Sequence, residues 1–569
     1  MDEAQALYRH ILRDDPAQVD ALHLTGVVAL QQGKPLDGIA WMAKAVALQP
    51  AHLDAQMNLG TALLSVGRHE EALRHFDAAL GLKPELPDIL NRRGAALAHL
   101  GRHADALRSH DEALALRPDF PEAAINRGNA LAKLGRFDDA LQVYAQVLAA
   151  SPGNLDAAHN RASVLLAAGR YGEAIEDCGR VLGAVPNHLP SLIARANALR
   201  HLNRHEEALG DCARALQLSP GNIDALMFRC LALRGLNRLD EALSCSRQVQ
   251  ALAPGLAAAQ FQEALCHLTM GQLTMGWPGY EARWKTEEAA AYRRDFAQPL
   301  WLGDTPLAGK TLLIHAEQGL GDAIQFVRYA ALAQAAGARV VLEVPASLIR
   351  LFRAQNAGCQ VVSRGKPLPD FDIHCPMLSL PLAFRTTLSS IPFTRGYLRS
   401  DPALTSTWGV RLGTQKRLRV GVVWAGHRAH GNNQNRSMAL EQFEKLLGAD
   451  ADFFSLSKDV SPQDRARLQA RGGIRLCGDD FEDFADTAAL VSHLDLVISV
   501  DTAVAHLAGA MGVPVWLLLP FSPDWRWLLD RSDSPWYPSA RLFRQAQAGD
   551  WAPVVLQVAQ ALRAQAAAR

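Results

Sequence analysis

The sequence predicts an α-solenoid over the first half of the chain and an α/β region with two doubly wound parallel sheets over the second half. Three observations support this fold class. Prolines recur at a constant spacing through the first 254 residues, which is typical of a helical repeat. Short β-branched runs alternate with helical patterns after about residue 310. A polar break at 399–417 divides those runs into two groups, so the 569-residue chain contains several domains.

Four ladders of residues share a 34-residue period. The prolines that separate the repeats are Pro16, Pro50, Pro84, Pro118, Pro152, Pro186, Pro220 and Pro254. Small residues in the middle of one helix, where the facing helix approaches closely, are Gly26, Gly60, Gly94, Gly128, Ala162, Ala196, Cys230 and Ala264. Residues that end this helix in a left-handed C-cap are Gly33, Gly67, Gly101, Gly135, Gly169, Asn203, Asn237 and Gly271. Small contact residues of the paired helix are Ala72, Ala106, Ala140, Ala174, Ala208 and Ala242.

This pattern is similar to the tetratricopeptide repeat (TPR), whose period is ~34 residues. The resemblance covers seven units from about 17 to 254, with a lone helix before them and a degenerate unit after them that ends near 282. It implies a superhelix with a concave groove that binds an extended segment of a protein partner.

Two polar ladders follow this groove. Asn58, Asn126 and Asn160 recur two positions before the small residue, and an amide side chain offers a donor and an acceptor to a peptide backbone. We predict that they bind protein, with a structural role as the equal alternative. The arginine ladder is interpreted first as caps or ion pairs between neighbouring repeats, with the side-chain stems buried between helices; its members are Arg93, Arg127, Arg161, Arg195 and Arg229.

Seven apolar runs in the second half read as strands, at 311–316, 338–344, 371–377, 418–426, 452–457, 494–500 and 513–520. Their nearly continuous apolar character indicates parallel strands covered on both faces. The pattern predicts two Rossmann-like domains with a ligand cleft between them. The predicted organisation is a repeat domain at 1–282, a linker at 283–310, one Rossmann-like half at 311–405, a second at 406–549 and a C-terminal helix at 550–569.

Composition excludes several classes of function. Lys+Arg and Asp+Glu are equal at 58 each, so nothing favours nucleic acid as a partner. The eight cysteines contain no CxxC pair, so no metal site is predicted and a reducing compartment is favoured. No apolar run is long enough for a membrane span, and the acidic N-terminus is unlike a signal peptide. We therefore expect a cytoplasmic protein.

Two loops have the character of anion sites. In HAEQGLGDAIQ, Gly319 and Gly321 form a turn after a strand and a helix begins near Asp322. In ISVDTAVAH, Asp501 is predicted to cap a helix whose free N–H groups come from Thr502, Ala503 and Val504. Each loop follows the carboxyl end of a strand, where ligands bind in doubly wound folds.

Further candidates come from their position near these strand ends. Arg436 and Ser437, in a long polar loop, are predicted to hold a phosphate. Lys458 follows a strand and has the charge to neutralise a leaving group, with a solvated lysine as the alternative. Gln325 is a candidate for binding sugar. The tryptophans of SPDWRWLLD are interpreted as packing more readily than as sugar stacking.

The motifs DTAVAHLAGAMGVP and QGLGDAIQ resemble segments of the heptosyltransferase-like glycosyltransferases, and together with the repeats and YEARW they resemble bacterial repeat–glycosyltransferase fusions, some of which glycosylate flagellin. The resemblance implies a GT-B fold, a nucleotide-sugar co-substrate and no metal or other cofactor. It implies that Asp322 is the catalytic base and that Asp501, Thr502 and His506 contact the donor. The alternatives are that Asp322 only caps its helix and that His506 is a packed, satisfied histidine.

The resulting hypothesis is an inverting glycosyltransferase that modifies a Ser or Thr hydroxyl of a docked protein, flagellin among the candidates. Two other hypotheses stay open. One is transfer to a saccharide or a lipid carrier, with the repeats assembling a complex. The other is a repeat adaptor whose transferase domain is inert.

Overall fold

The computed structural model describes residues 2–287, 289, 292–355, 358–392, 396–427 and 431–568. The chain forms two compact units, Met1–Ala225 and Leu226–Arg569, and the division lies within one helix. Each unit is described by itself. None of the helices in the described ranges is both long enough and apolar enough to cross a membrane.

The first unit is a solenoid of antiparallel helix pairs. Its helices are α1 Asp2–Asp14, α2 Val19–Gln31, α3 Pro35–Leu48, α4 Leu53–Ser65, α5 His69–Leu82, α6 Pro87–His99, α7 His103–Leu116, α8 Pro121–Lys133, α9 Phe137–Ala150, α10 Leu155–Ala167, α11 Tyr171–Ala184, α12 Leu189–His201 and α13 His205–Leu218, followed by α14 Ile223–Gly235, which contains the division. The lone first helix and the helix pairs confirm the predicted repeat.

The C-cap ladder has the backbone conformation that the sequence predicted. Its glycines in this unit have φ between +73° and +78°, and Asn203 replaces glycine with φ 58°. Asparagine tolerates this left-handed region better than other residues with a side chain. The ladder therefore ends each first helix and turns the chain into its partner.

The small-residue ladder sets the distance between paired helices. A β-carbon on Gly60, Gly94 or Gly128 would lie 2.5–2.7 Å from the ring of the residue 16 positions later. Those facing residues are Phe76, His110 and Tyr144. Within the first unit, where the ladder carries alanine at 162 and 196, the residue 16 positions later is a buried cysteine. The small and large residues of these pairs thus compensate each other in volume.

Four arginines of the ladder form ion pairs between helices, and the favoured interpretation, ion pairs between neighbouring repeats, is confirmed for Arg93 and Arg127. The pairs are Arg93–Asp77, Arg127–Asp111, Arg161–Asp177 and Arg195–Asp211, with N···O distances of 2.6–2.7 Å. The first two join an arginine to the preceding helix, and the last two join it to the following helix. Asp177 and Asp211 are buried, so their arginines neutralise charge inside the solenoid.

The second unit contains the last repeat helices and two α/β halves. Its further helices are α15 Leu239–Leu252, α16 Ala257–Thr269, α17 Leu273–Tyr280, α18 Leu320–Phe326, α19 Tyr329–Ala335, α20 Ile349–Arg353, α21 Leu380–Ala383, α22 Pro402–Leu412, α23 Asn433–Arg436, α24 Leu440–Phe443, α25 Pro462–Arg471, α26 Phe484–Val491, α27 Ala503–Met511 and α28 Ala552–Ala567. Its strands are β1 Thr311–His315, β2 Arg339–Val344, β3 Cys359–Ser363, β4 Ile373–Pro376, β5 Leu418–Val423, β6 Ala451–Ser455, β7 Ile474–Leu476, β8 Leu496–Val500, β9 Val515–Leu519 and β10 Ala540–Arg544.

These strands form two parallel sheets, so the predicted fold class is confirmed. The first sheet has the order β3-β2-β1-β4 and the second has the order β10-β9-β8-β5-β6-β7. All seven predicted strands are present. Three strands were not predicted, β3, β7 and β10, and each lies at the edge of its sheet.

The last repeat helices pack against the sheets within this second unit. The Trp277 indole N–H donates to the Thr386 carbonyl at 2.9 Å, and the Trp277 ring meets Trp525 edge-on at 5.3 Å. Asn237 Nδ2 donates to the Phe521 carbonyl at 2.7 Å. Helices α14 to α17 are therefore part of the core that supports the candidate site. The predicted domain boundaries at 282, 310, 405 and 549 stay predictions.

Candidate functional site

The loop that follows β1 carries the predicted base. We name residues 317–322 the β1 loop. The Gly319 N–H donates to Asp322 Oδ2 at 2.9 Å, so Asp322 closes the first turn of α18. The other carboxylate oxygen of Asp322 accepts from Arg526. Gly319 itself is exposed at the tip of the turn. Asp322 therefore caps its helix, as the alternative interpretation expected. Its role as a catalytic base stays a prediction.

The loop that follows β8 carries the predicted donor residues. Its N-cap is Thr502, so the prediction that Asp501 caps this helix is wrong by one residue. The Thr502 backbone is extended, and its hydroxyl lies 3.0 Å from Ser499 Oγ instead of capping the helix. Ala503 is the first residue of α27. The free N–H groups of this helix start therefore remain available for an anion.

Gly321 brings these two loops together. A β-carbon on Gly321 would lie 2.8 Å from His506 Cδ2 and 3.5 Å from the Ala503 Cα atom. Helices α18 and α27 consequently meet where their parent strands end, one in each half. This contact joins the carboxyl edges of both sheets, and it makes Gly321 a packing residue as well as a predicted anion-binding one.

His506 is buried between the two halves. Its Nδ1 lies 2.9 Å from the Tyr537 hydroxyl, its Nε2 lies 3.7 Å from Asp501, and its ring stacks near Trp527 at 5.3 Å. Burial, and then the charge of Arg526, lower the pKa of His506 to about 3. The imidazole is therefore neutral at physiological pH, with one nitrogen available as a donor.

Arg526 is the central cation of the site, and the sequence analysis did not single it out. Its Nε donates to Gln325 Oε1 at 2.7 Å, its Nη1 donates to Asp524 at 2.8 Å, and its Nη2 donates to Asp322. The guanidinium lies 4.4 Å from the Trp525 ring. The signal was present in SPDWRWLLD, where an arginine lies between two tryptophans and follows an aspartate.

Two further carboxyl groups near Arg526, those of Asp501 and Asp524, have pKa values that are shifted in opposite directions. Burial, and then the negative charge of Asp524, raise the pKa of Asp501. Burial would also raise the pKa of Asp524, but its pairing with Arg526 brings that pKa below the usual value. Near neutral pH, Asp501 is therefore the carboxyl of this pair that gains a proton first.

A second buried ion pair holds the start of the β1 loop, and it too was missed. Arg283 Nη2 donates to Glu317 Oε1 at 2.9 Å and to Ser379 Oγ at 2.8 Å. Burial, opposed by the Arg283 charge, raises the pKa of Glu317 to about 7. The available signals were the charged residues of YEARW and HAEQGLGDA.

Of the remaining candidates, Arg436 lies near the cluster. Its positive charge opposes the burial that raises the pKa of Asp501, and it adds to the burial that lowers the pKa of His506. Its Nε is a buried donor with no hydrogen-bond partner in the described part of the chain. Ser437 Oγ accepts from the Gly426 N–H at 3.0 Å.

Two candidates already have hydrogen-bond partners within the protein. Gln325 is fully buried, with its Oε1 bonded to Arg526. Lys458 is exposed, and its Nζ donates to the Glu482 carbonyl at 2.9 Å. Ligand contact by these two residues stays a prediction.

The asparagine ladder is engaged in contacts between repeats. Asn58 Nδ2 lies 2.8 Å from His23 Nε2, and Asn126 Nδ2 donates to Asn91 Oδ1 at 3.0 Å. Asn160 is half-buried in α10. Binding of a protein partner by this ladder stays a prediction. Within the described ranges, no three His, Cys, Asp or Glu residues are grouped so that they could hold a metal ion.

Comparison with known families matches both parts of the chain. The tetratricopeptide repeat family matches residues 1–52, 57–121, 100–154, 125–188 and 159–223. Glycosyltransferase family 9 (heptosyltransferase) matches residues 463–523, which include the β8 strand, the start of α27 and His506.

A curated relative is Protein FlbA of Caulobacter vibrioides, which is 29% identical over 335 residues. The match covers 54% of this chain and 55% of FlbA, so the chain spans about half the length of that relative.

Solved structures resemble the repeats. YrrB, described as a TPR protein with an unusual peptide-binding site, shares 22% identity, with coverage of 33% of this chain and 97% of YrrB and a TM-score of 0.30. A tetratricopeptide repeat protein from Parabacteroides merdae shares 18% identity, with coverage of 44% and 98% and a TM-score of 0.37.

Proposed function

We propose, for a chain that combines tetratricopeptide repeats with a glycosyltransferase family 9 domain, that it transfers a sugar from a nucleotide-sugar donor to a Ser or Thr hydroxyl of a docked protein. One observation carries the proposal. Gly321 packs on His506, so the Asp322 carboxylate and the start of α27 lie at one meeting point of two parallel sheets. Ligands bind at such carboxyl edges in doubly wound folds.

In this proposal Asp322 is the general base. It takes the proton of the acceptor hydroxyl while that oxygen bonds to the anomeric carbon and the nucleotide phosphate departs with the bonding electrons. Arg526 donates to one oxygen of this carboxylate and so holds it in place. The Gly319 N–H fixes one carboxylate oxygen, so the side chain has a defined direction.

The donor phosphates are proposed to lie at the start of α27. The N–H groups after Thr502 and the helix dipole favour negative charge there. Arg436 adds a guanidinium with an unused Nε donor, as judged from the described residues. Neutral His506 supplies a hydrogen bond without a second charge, and Asp501 is suited to a sugar hydroxyl because its pKa is raised by burial. We keep Ser437 and Lys458 as weaker candidates for the same phosphates.

The repeats are proposed to deliver the acceptor protein, with flagellin as one candidate. The proposal includes a cytoplasmic reaction and no metal or cofactor besides the nucleotide sugar. Its test begins with a thermal-shift screen of the full chain against UDP-, GDP-, ADP- and CMP-sugars, because a ligand bound only by the folded state raises the melting temperature.

The decisive variant is Asp322→Asn. It should retain the thermal shift with the active donor and lose at least ~100-fold in transfer, since a positioned base contributes that much or more. Asp479→Asn is the matched control, because Asp479 is exposed and its ion pair, as far as the described residues go, is with Arg465 on the surface. Full transfer by Asp322→Asn would remove this residue from the mechanism.

A truncation separates this proposal from transfer to a saccharide or lipid carrier. The cut belongs before α14, because α14 to α17 pack with the sheets in the second unit. A chain that starts at residue 219 should bind the donor and fail to glycosylate the protein acceptor. Unchanged transfer by this chain would favour the carrier hypothesis. The absence of turnover of any nucleotide sugar by the full chain would favour the adaptor.

A further inference from the structure

The β1 loop is held at both ends by buried arginines from different parts of the second unit. Glu317, at its start, pairs with Arg283 at 2.9 Å, and Asp322, at its end, pairs with Arg526. Arg283 and Glu317 have exposed side-chain fractions of 3% and 1%, and Arg526 has 7%. Ion pairs this far from water are costly to break, because one charge is left uncompensated.

Each arginine is itself fixed by several partners. Arg283 also donates to Glu281 at 2.6 Å and to Ser379 at 2.8 Å, and its guanidinium lies against the Tyr280 ring. It lies directly after the last repeat helix, α17. The β1 loop is therefore connected to the end of the repeats through one side chain.

Arg526 connects the same loop to the opposite half. It lies in the segment after β9, which we name the β9 loop (residues 520–528). This loop also contacts the repeat helices, since Ser522 Oγ lies 3.3 Å from the Arg234 carbonyl and Trp525 packs on Trp277. Planar guanidinium groups suit this task because their donors point in fixed directions toward several acceptors.

We propose that Arg283 and Arg526 are positioning residues that clamp the β1 loop from its two ends and thereby set the place of the Asp322 carboxylate. The catalytic purpose of this clamp rests on the proposed function, because Asp322 acts as a base only in that proposal. The ordering of the β1 loop by the two arginines can be measured without any substrate.

The test is hydrogen–deuterium exchange of the full chain, read on peptides that cover residues 316–327. In Arg526→Gln and in Arg283→Gln, these amides should exchange roughly tenfold faster than in the wild type, because local opening becomes easier. Arg526→Lys should lie between, since lysine keeps the charge and loses the fork of donors.

Two control variants separate positioning from general damage. Arg465→Gln removes an exposed bidentate pair with Asp479 and should change nothing in these peptides. Arg419→Gln removes a buried arginine that donates to the Gly413 carbonyl at 2.6 Å, outside the clamp. It should lower the melting temperature and leave the β1 loop amides protected. The clamp is refuted if folded Arg526→Gln and Arg283→Gln exchange like the wild type, or if Arg419→Gln exposes the loop equally.

Kinetics give a second readout once a donor is known. Arg526→Gln should lower kcat at least roughly tenfold while the donor KM stays within about threefold, because it disturbs the base and leaves the phosphate site in place. An unchanged kcat in the folded Arg526→Gln variant contradicts the clamp. If the wild type turns over no donor while the exchange result holds, the proposed function fails and the clamp stands.

Discussion

Two histidines, one in each unit, are packed in the same way and differ in their partners. His110 of α7 lies against Gly94, and His506 of α27 lies against Gly321, each with a ring atom 2.5–2.8 Å from the place of a glycine β-carbon. Burial is the main cause that lowers both pKa values, to about 4 for His110 and about 3 for His506. Both rings are therefore neutral wedges between two helices.

The two histidines differ in the contacts of their ring nitrogens. For His110, the neighbouring repeats also show which other residues can fill the same position. His110 Nδ1 has no hydrogen-bond partner among the residues described, and the repeats before and after it carry Phe76 and Tyr144 there. His506 instead has Tyr537 at 2.9 Å and Asp501 at 3.7 Å. Similar packing thus serves volume alone in the solenoid, whereas at the meeting point of the sheets the buried ring also makes a hydrogen bond with Tyr537.

The largest expected difference between these histidines is in transfer. His506→Phe should lower transfer about 100-fold, because it removes a donor near the proposed phosphate and leaves Tyr537 and Asp501 without their partner. His110→Phe should leave transfer unchanged, since phenylalanine already fills the equivalent place in the preceding repeat. Steady-state kinetics of the two full-length variants with the active donor measure this contrast. Equal transfer by both variants would make His506 a packing residue like His110.

The glycines that face these histidines give the next largest effect. Gly321→Ala and Gly94→Ala should each cost about 1–3 kcal/mol of unfolding free energy, because the added methyl overlaps a buried ring. Chemical denaturation measures both. Only Gly321→Ala should also reduce transfer, because the ring that its added methyl group displaces is that of His506.

A double variant sharpens the same point. Gly94→Ala with His110→Cys recreates the alanine–cysteine pairing that the chain uses at residues 162 and 178, and it should recover most of the lost stability. Retention of the full cost in this double variant would show that volume compensation does not govern the ladder.

Sequence reasoning was most successful in the solenoid, because each type of contact residue recurs at the same position in several repeats. The C-caps at Gly33 and Asn203 follow from backbone conformation alone, and the structure has both at positive φ. An ion pair for Arg161 was favoured, but it joins the two helices of one repeat instead of neighbouring repeats. The partner of each arginine was not predictable, because Asp77 and Asp177 lie on opposite sides of their arginines in the chain.

In the α/β halves, sequence reasoning found every central strand and the fully buried edge strand β4, and it missed the three partly exposed edge strands. Central strands such as β1 and β8 are buried on both faces and read as apolar runs. The unpredicted strands β3, β7 and β10 are edges with one exposed side, so polar residues interrupt their pattern. Arg526 escaped notice because its partners, Asp322 and Gln325, lie about 200 residues away in the chain. Such a contact exists only after folding.

The smallest expected effect is the pH dependence that His110 gives to the solenoid. Its folded pKa of about 4 lies below the unfolded value of 6.5, so the stability gained from the neutral ring is complete above pH 6.5 and decreases as the pH falls toward 4. Between pH 7 and pH 5.5 this loss should be about 1 kcal/mol. His110→Phe should abolish it, because phenylalanine does not titrate.

Hydrogen exchange of α6 and α7 in the full chain, with wild type and variant compared at the same pH, isolates this term from intrinsic exchange rates. The wild type should lose protection relative to His110→Phe at pH 5.5 and match it at pH 7. The same series on His506→Phe should report on α18 and α27 instead, because that ring lies between those helices. If acidification opened α6 and α7 equally in the wild type and in His110→Phe, protonation of the His110 ring would not cause the loss of protection. The lowered pKa of His110 would then have no measurable effect on the stability of the solenoid.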